Sequence, residues 1–211
     1  MPEILLMRHG ESQANVDRIF ANGNEGYPLT ETGRNQAEIA ARVLRGKSID
    51  RIYTSPITRA VETATIVGTH LGIEPIVLDE IREFSVGELE GELIEREAEA
   101  AFMRVMLEWI SGNSNERIPG GESQNEIIAR LKIALKNVVF DNPEKRVLMI
   151  THGGFLTASV PFVCRNVDTK AFFSNPAFGV GNCSITTLRC LVEQSELAVE
   201  LVDWSNSSHL E

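Results

Sequence analysis

Three short β-like segments set the plan of the chain, and each runs directly into residues able to do chemistry. Ile4-Leu5-Leu6-Met7 leads into Arg8-His9-Gly10-Glu11, and Val147-Leu148-Met149-Ile150 leads into Thr151-His152-Gly153-Gly154. Arg51-Ile52-Tyr53-Thr54 leads into Ser55-Pro56. Continuous apolar runs of this length fit strands covered on both faces.

Between the runs the apolar positions change to helical spacing. After Thr30-Glu31-Thr32-Gly33 the series Ala37, Ala40, Ala41 and Leu44 predicts a helix ending at Gly46. Ser55 as N-cap with Pro56 at the first helical position predicts a second helix through Val61, Thr65 and Ile66 to Leu71, stopped by Gly72, with Arg59 in its first turn. Ile76-Val77-Leu78 is a short strand, Ile81 to Gly91 an active-site loop, and Glu92 to Ile110 a helix with an acidic start. Ser123 and Glu126 have the spacing of a capping box before the stripe Ile127, Ile128, Leu131, Leu135, Val138 and Val139, which Asp141-Asn142-Pro143 terminates. Ser184 to Val192 and Leu197 to Val202 form a closing hairpin. Strands alternating with helices imply a three-layer α/β/α sandwich with a mostly parallel central sheet and an antiparallel edge. Residues 1–211 read as one domain carrying a helical insert at about 92–121.

Composition narrows the partners. Of the 211 residues, 30 are acidic and 20 basic, a formal charge of −10, which disfavours nucleic acid or an anionic membrane as partner. The chain shows neither a leader nor an apolar stretch of bilayer length, so a cytoplasmic location is expected. Cys164, Cys183 and Cys190 are odd in number and lack paired spacing, which fits buried reduced thiols. His70 suits a helix-end interaction and His209 lies in a polar tail; neither is assigned a role. With no metal-ligand spacing, phosphate-loop lysine motif or dinucleotide fingerprint, neither metal nor cofactor is expected.

In open α/β folds ligands collect beyond the carboxyl ends of the strands. His9, His152, Arg8 and Arg59 all arrive at such edges. A cluster of that kind in an acidic chain marks a local anion site, and phosphate suits it because arginine binds it bidentately and always carries charge.

Four motifs sharpen this. Arg8-His9-Gly10-Glu11-Ser12 with Asn15, then Thr54-Ser55-Pro56 with Arg59-Ala60 and Glu62-Thr63-Ala64, then Glu83 before Gly87 and Glu90-Gly91, and Thr151-His152-Gly153-Gly154 span most of the chain. In that order they closely resemble the histidine phosphatase superfamily, also called the phosphoglycerate mutase-like family. The resemblance implies a phosphoglycerate mutase-like fold in which His9 attacks phosphorus and is transiently phosphorylated. Arg8, Arg59 and His152 would hold the phosphoryl oxygens, with Asn15 a further contact, and Glu83, ahead of Glu88, would donate a proton to the leaving oxygen. Mutases of the family carry a Glu-Arg-x-Tyr-Gly type sequence at the acid position and a longer basic insertion. Here Ile81 to Gly91 resembles the phosphatase version, and the segment from Glu92 to Gly121 is short and acidic.

The expectation is therefore a phosphatase acting on a small phosphorylated metabolite. A mutase-type phosphoryl transferase is the alternative, followed by a non-catalytic phospho-ligand binding protein. Pocket walls are expected from Asn22 to Tyr27, Phe84 to Glu88, the acidic insert, and Phe155 onward. The leaving group, the oligomeric state and the acceptor that orients His9 are not legible in the sequence.

Overall fold

The structure, a computed structural model, describes residues 3–23, 26–143, 145–193 and 196–211. Its centre is a six-stranded sheet in the order β3-β2-β4-β1-β5-β6. The strands are β1 (Glu3–Arg8), β2 (Arg51–Thr54), β3 (Ile76–Val77), β4 (Arg146–Thr151), β5 (Ile185–Glu193) and β6 (Glu196–Asn206). β1, β4, β2 and β3 run parallel, whereas β5 pairs antiparallel with both β1 and β6. The closing hairpin thus supplies the antiparallel edge.

Alternation along the central strands explains the three layers. From β1 and β4, Leu5, Met7, Leu148 and Ile150 face one core, shared with α2 (Glu31–Leu44) and α3 (Thr58–Leu71). Their neighbours Ile4, Leu6, Val147 and Met149 face the other, shared with α5 (Gln124–Asp141) and α6 (Gly153–Val163). Both faces are covered, so these strands read as unbroken apolar runs. The remaining helices are α1 (Gln13–Asp17), α4 (Arg96–Ser111), which lies within the expected insert, and α7 (Thr169–Ser174).

Helix boundaries follow local chemistry. Ser123 accepts from the Glu126 amide while the Glu126 carboxylate accepts from the Ser123 amide, so the capping box forms. Gly72 ends α3 in the left-handed region at φ 69°. The start of α3 corrects the expectation: the helix begins at Thr58 with Ile57 as N-cap, two residues after Pro56. The Ser55 hydroxyl accepts from the Ile57 amide and also reaches His152, closing a turn before the helix rather than capping its first turn. α4 begins at Arg96 rather than Glu92, because Leu93 bridges to Ile19 and the Ile94 amide donates to the Arg18 carbonyl. Gly10 and Gly33 let α2 approach the loop after β1: a Cβ on Gly10 would lie 2.4 Å from the Gly33 carbonyl oxygen.

All three cysteines are free and buried, and burial pushes each thiol pKa up to about 12. They pack as small hydrophobes. Among the described residues no helix is long and apolar enough to cross a membrane.

Candidate active site

The parallel strands deliver their chemistry to one end of the sheet. Arg8 is the last residue of β1, Thr151 the last of β4, and the His9 amide donates to the Thr151 carbonyl at 2.9 Å, tying the two strand ends together. Arg59 lies in the first turn of α3. The Thr63 hydroxyl joins that helix to the loop, accepting from the Gly10 amide at 3.1 Å and donating to the Arg59 carbonyl at 2.7 Å.

His9 is buried and its tautomer is fixed. Nδ1 lies 2.7 Å from the Gly10 carbonyl, which can only accept, so the proton sits on Nδ1 and the lone pair on Nε2. The missing acceptor for His9 is therefore its own neighbour's backbone. The Arg59 Nε–H donates to that lone pair at 3.0 Å. Burial above all, and then the Arg59 and Arg8 charges, hold the His9 pKa well below the ordinary imidazole value, so the ring is neutral.

His152 stands beside it, with ring centroids 5.2 Å apart. Its Nε2 is 2.7 Å from the Ser55 hydroxyl, and burial followed by the Arg59 charge holds its pKa well below the ordinary value as well. The Ser55 oxygen also accepts from the Ile57 amide, so this hydroxyl joins His152 to the turn before α3. His152 lies behind the cavity wall rather than on it.

Four buried polar atoms have no hydrogen-bond partner among the described residues, and three belong to this cluster: Arg8 Nε, Arg59 Nη1 and His152 Nδ1. Unpaired buried polar atoms are costly and rare, and three together, two of them arginine donors, need an explanation. A polyanion supplies one, since it brings acceptors and charge to groups that burial penalises. Arg8 Nη1 is braced by the Val180 carbonyl at 2.6 Å.

Asn15 joins the cavity wall with its oxygen occupied, accepting from the Ser12 amide at 3.1 Å and from Asn182 Nδ2 at 3.2 Å. What it presents is therefore its NH2. Asn182 also donates to the His9 carbonyl at 3.2 Å. This brace went unread in the sequence because Asn182 lies far along the chain in a turn with no motif.

Glu83 is buried on the cavity wall, 7% exposed, while Glu88 is not part of that wall. Its carboxylate accepts from the Phe84 and Gly154 amides, each at 3.0 Å. Burial raises its pKa above the ordinary carboxylate value, and those amides with the Arg59 charge pull the other way. Gly154 has to be glycine, because a Cβ there would lie 2.9 Å from the Glu83 oxygens and 2.8 Å from Phe84.

These groups floor a cavity of about 410 Å³ whose wall differs from expectation. Glu92, Glu95 and Glu97 of the insert are exposed, whereas Phe102, Met103, Met106, Trp109 and Ile110 line the cavity. The acidic wall is thus an apolar one with Glu99 added: the apolar stripe of α4 turns inward and leaves its carboxylates in water. Asn22, Phe84, Thr157 and Phe162 contribute as the sequence suggested, while Gly26, Tyr27 and Ser85 to Glu88 do not; Asn24 and Glu25 lie outside the described residues. Phe20, Phe173, Phe178 and Val180 were missed. The aromatic density between Phe162 and Phe178 was the available signal. Among the described residues no group of His, Cys, Asp and Glu is arranged to hold a metal ion.

The sequence pattern of the histidine phosphatase superfamily (branch 1) matches residues 4–203. The chain belongs to that superfamily. This histidine phosphatase superfamily member is 36% identical over 155 residues to the probable phosphoglycerate mutase GpmB of Photorhabdus laumondii, covering 72% of this chain and 70% of that protein. It is 35% identical over 160 residues to a putative phosphoserine phosphatase 2 of Hydrogenobacter thermophilus, covering 76% and 77%. Its fold is similar to that of Bacillus stearothermophilus YhfR, with a TM-score of 0.81 at 27% identity over the whole of both chains. A mycobacterial glucosyl-3-phosphoglycerate phosphatase complexed with VO3 gives a TM-score of 0.79 at 26% identity, covering 97% of this chain and 99% of that one.

Proposed function

We propose that this chain is a phosphatase that hydrolyses phosphomonoesters through a phosphohistidine at His9. The observation that carries the reading is the state of His9. It is neutral, its Nδ1 proton is committed to the Gly10 carbonyl, and its Nε2 lone pair lies on the cavity floor beside Arg59.

In the first step the Arg59 Nε–H passes from His9 to a phosphoryl oxygen, the freed lone pair forms an N–P bond while the ester P–O bond breaks, and Glu83 gives its proton to the departing oxygen. Arg8 and Arg59 meet the charge on the phosphoryl oxygens, with His152 behind them against His9 and the Asn15 NH2 at the rim. The carboxylate left on Glu83 is held by the Phe84 and Gly154 amides until the second step. Water then attacks phosphorus, its proton returns to Glu83, and the N–P bond breaks to release phosphate.

Hydrolysis is favoured over mutase-type transfer by the cavity wall. A mutase must retain an intermediate with two phosphoryl groups, and among the described residues Arg8 and Arg59 are the cationic side chains on that wall. Phosphatases among the relatives and fold neighbours support the same choice. The test is incubation with 3-phosphoglycerate, with and without a bisphosphorylated primer. Inorganic phosphate without isomerisation is expected; primer-dependent formation of 2-phosphoglycerate would replace this reading with the mutase.

A further inference from the structure

The cavity has two unlike ends. At the floor lie His9, Arg8 and Arg59. Above it, α4 supplies Phe102, Met106 and Trp109, and the segment after α6 closes the far side with Phe173 and Phe178. Phe84 ties the ends together, its ring 6.2 Å from Phe102 in a stacked arrangement and 5.6 Å from Trp109 edge-on.

Two polar features on the wall carry the argument further. The Gln124 side chain is 1% exposed; its Nε2 donates to the Ala158 carbonyl at 3.3 Å, which fixes the amide orientation and leaves Oε1 an acceptor without a partner. Glu99 adds a carboxylate. The Gln124 oxygen repels a substrate carboxylate, Glu99 at the mouth already pairs with Arg18 at 3.9 Å, and with Arg8 and Arg59 engaged by the phosphoryl group no described cation on the wall remains to bind one. A carboxylate brought into such a wall would lose its hydration without compensation.

We propose that the alcohol half of the substrate is largely apolar and carries no carboxylate, so that the site selects phosphomonoesters of chain or ring alcohols over carboxylated esters such as phosphoglycerate or phosphoserine. This rests on the phosphatase reading above. The cavity volume suits it: about 410 Å³ lies within the roughly 300–1,000 Å³ of small-molecule sites, enough for a phosphoryl group and a medium-sized apolar body.

The experiment measures kcat/KM from phosphate release for ethyl, butyl and hexyl phosphate, 3-phosphoglycerate and phosphoserine, with His9→Ala as control. The alkyl series holds leaving-group chemistry nearly constant, so a trend along it reports wall contact. Expected is a rise of roughly two- to fourfold per methylene, with both carboxylated esters about tenfold or more below butyl phosphate. Met103→Lys, a half-exposed wall position, should raise kcat/KM for 3-phosphoglycerate and lower it for hexyl phosphate. A flat or falling alkyl series, or preference for a carboxylated ester, overturns the apolar assignment while His9-dependent hydrolysis survives. Hydrolysis that persists in His9→Ala, or none of any ester, overturns the phosphatase reading and this inference with it.

Discussion

The floor and the wall of the cavity are held in place by different means. Three of the groups that meet the phosphoryl chemistry are braced by backbone, His9 by the Gly10 and Thr151 carbonyls, Arg8 by that of Val180 and Glu83 by two amides, while Arg59 rests on His9. The wall is built largely of side chains from helices, with Met103 46% exposed at its edge and half-buried Phe102 and Met106 beside it. Strand ends that cannot shift without breaking the sheet make a precise site for phosphorus chemistry. A helix face made of interchangeable apolar groups makes a selector that can change while the chemistry below it stays.

Substitutions that act on one region and spare the other are the sharpest probes of this division. The largest effect is expected at Arg59→Ala, which removes a phosphoryl contact and the donor to His9 Nε2; kcat/KM should fall by about 10³ for every ester, long or short. Glu83→Gln should lower kcat by about 10² to 10³ and erase the basic limb of the pH profile. The sign follows from its raised pKa: the acid must keep its proton, so wild-type activity falls as pH rises through a value above the ordinary carboxylate range. The acid limb belongs to His9, which loses its lone pair only well below pH 6.5. Gly154→Ala crowds the Glu83 carboxylate and should lower kcat about tenfold with KM little changed.

On the wall, Phe102→Ala should raise KM for hexyl phosphate several-fold and leave kcat for ethyl phosphate within about twofold. A fall in the latter matching that of Arg59→Ala would show that floor and wall are one unit. The smallest effect concerns stability. His9 and His152 have lowered pKa values in the folded protein, so the unfolded chain takes up protons below pH 6.5 that the folded one refuses, and Tm should fall on acidification through that window. His152→Gln should make the Tm decline shallower.

The floor was legible in the sequence because its residues sit in short motifs at fixed offsets from apolar runs. Arg8 and His9 follow β1 and His152 follows β4, so finding the strands located the site. The His9 acceptor was not legible, since any backbone carbonyl in reach would serve. Nor was the direction in which the insert faces. Its glutamates stand out in composition, yet the lining depends on how α4 rolls against Phe84 and α7, which is a tertiary property. Ser55 misled for a related reason: its hydroxyl suits an N-cap, but His152, 97 residues away, shares it.

The claim on which the account depends most is that the phosphoryl group passes through His9. Rapid acid-free quenching during turnover of a phosphorus-labelled ester, followed by peptide mapping, measures this directly. The account predicts covalent phosphate that is stable to base, labile to acid and located on His9. Steady turnover with no trapped phosphate in wild type or in Glu83→Gln, or label on any other residue, would contradict it.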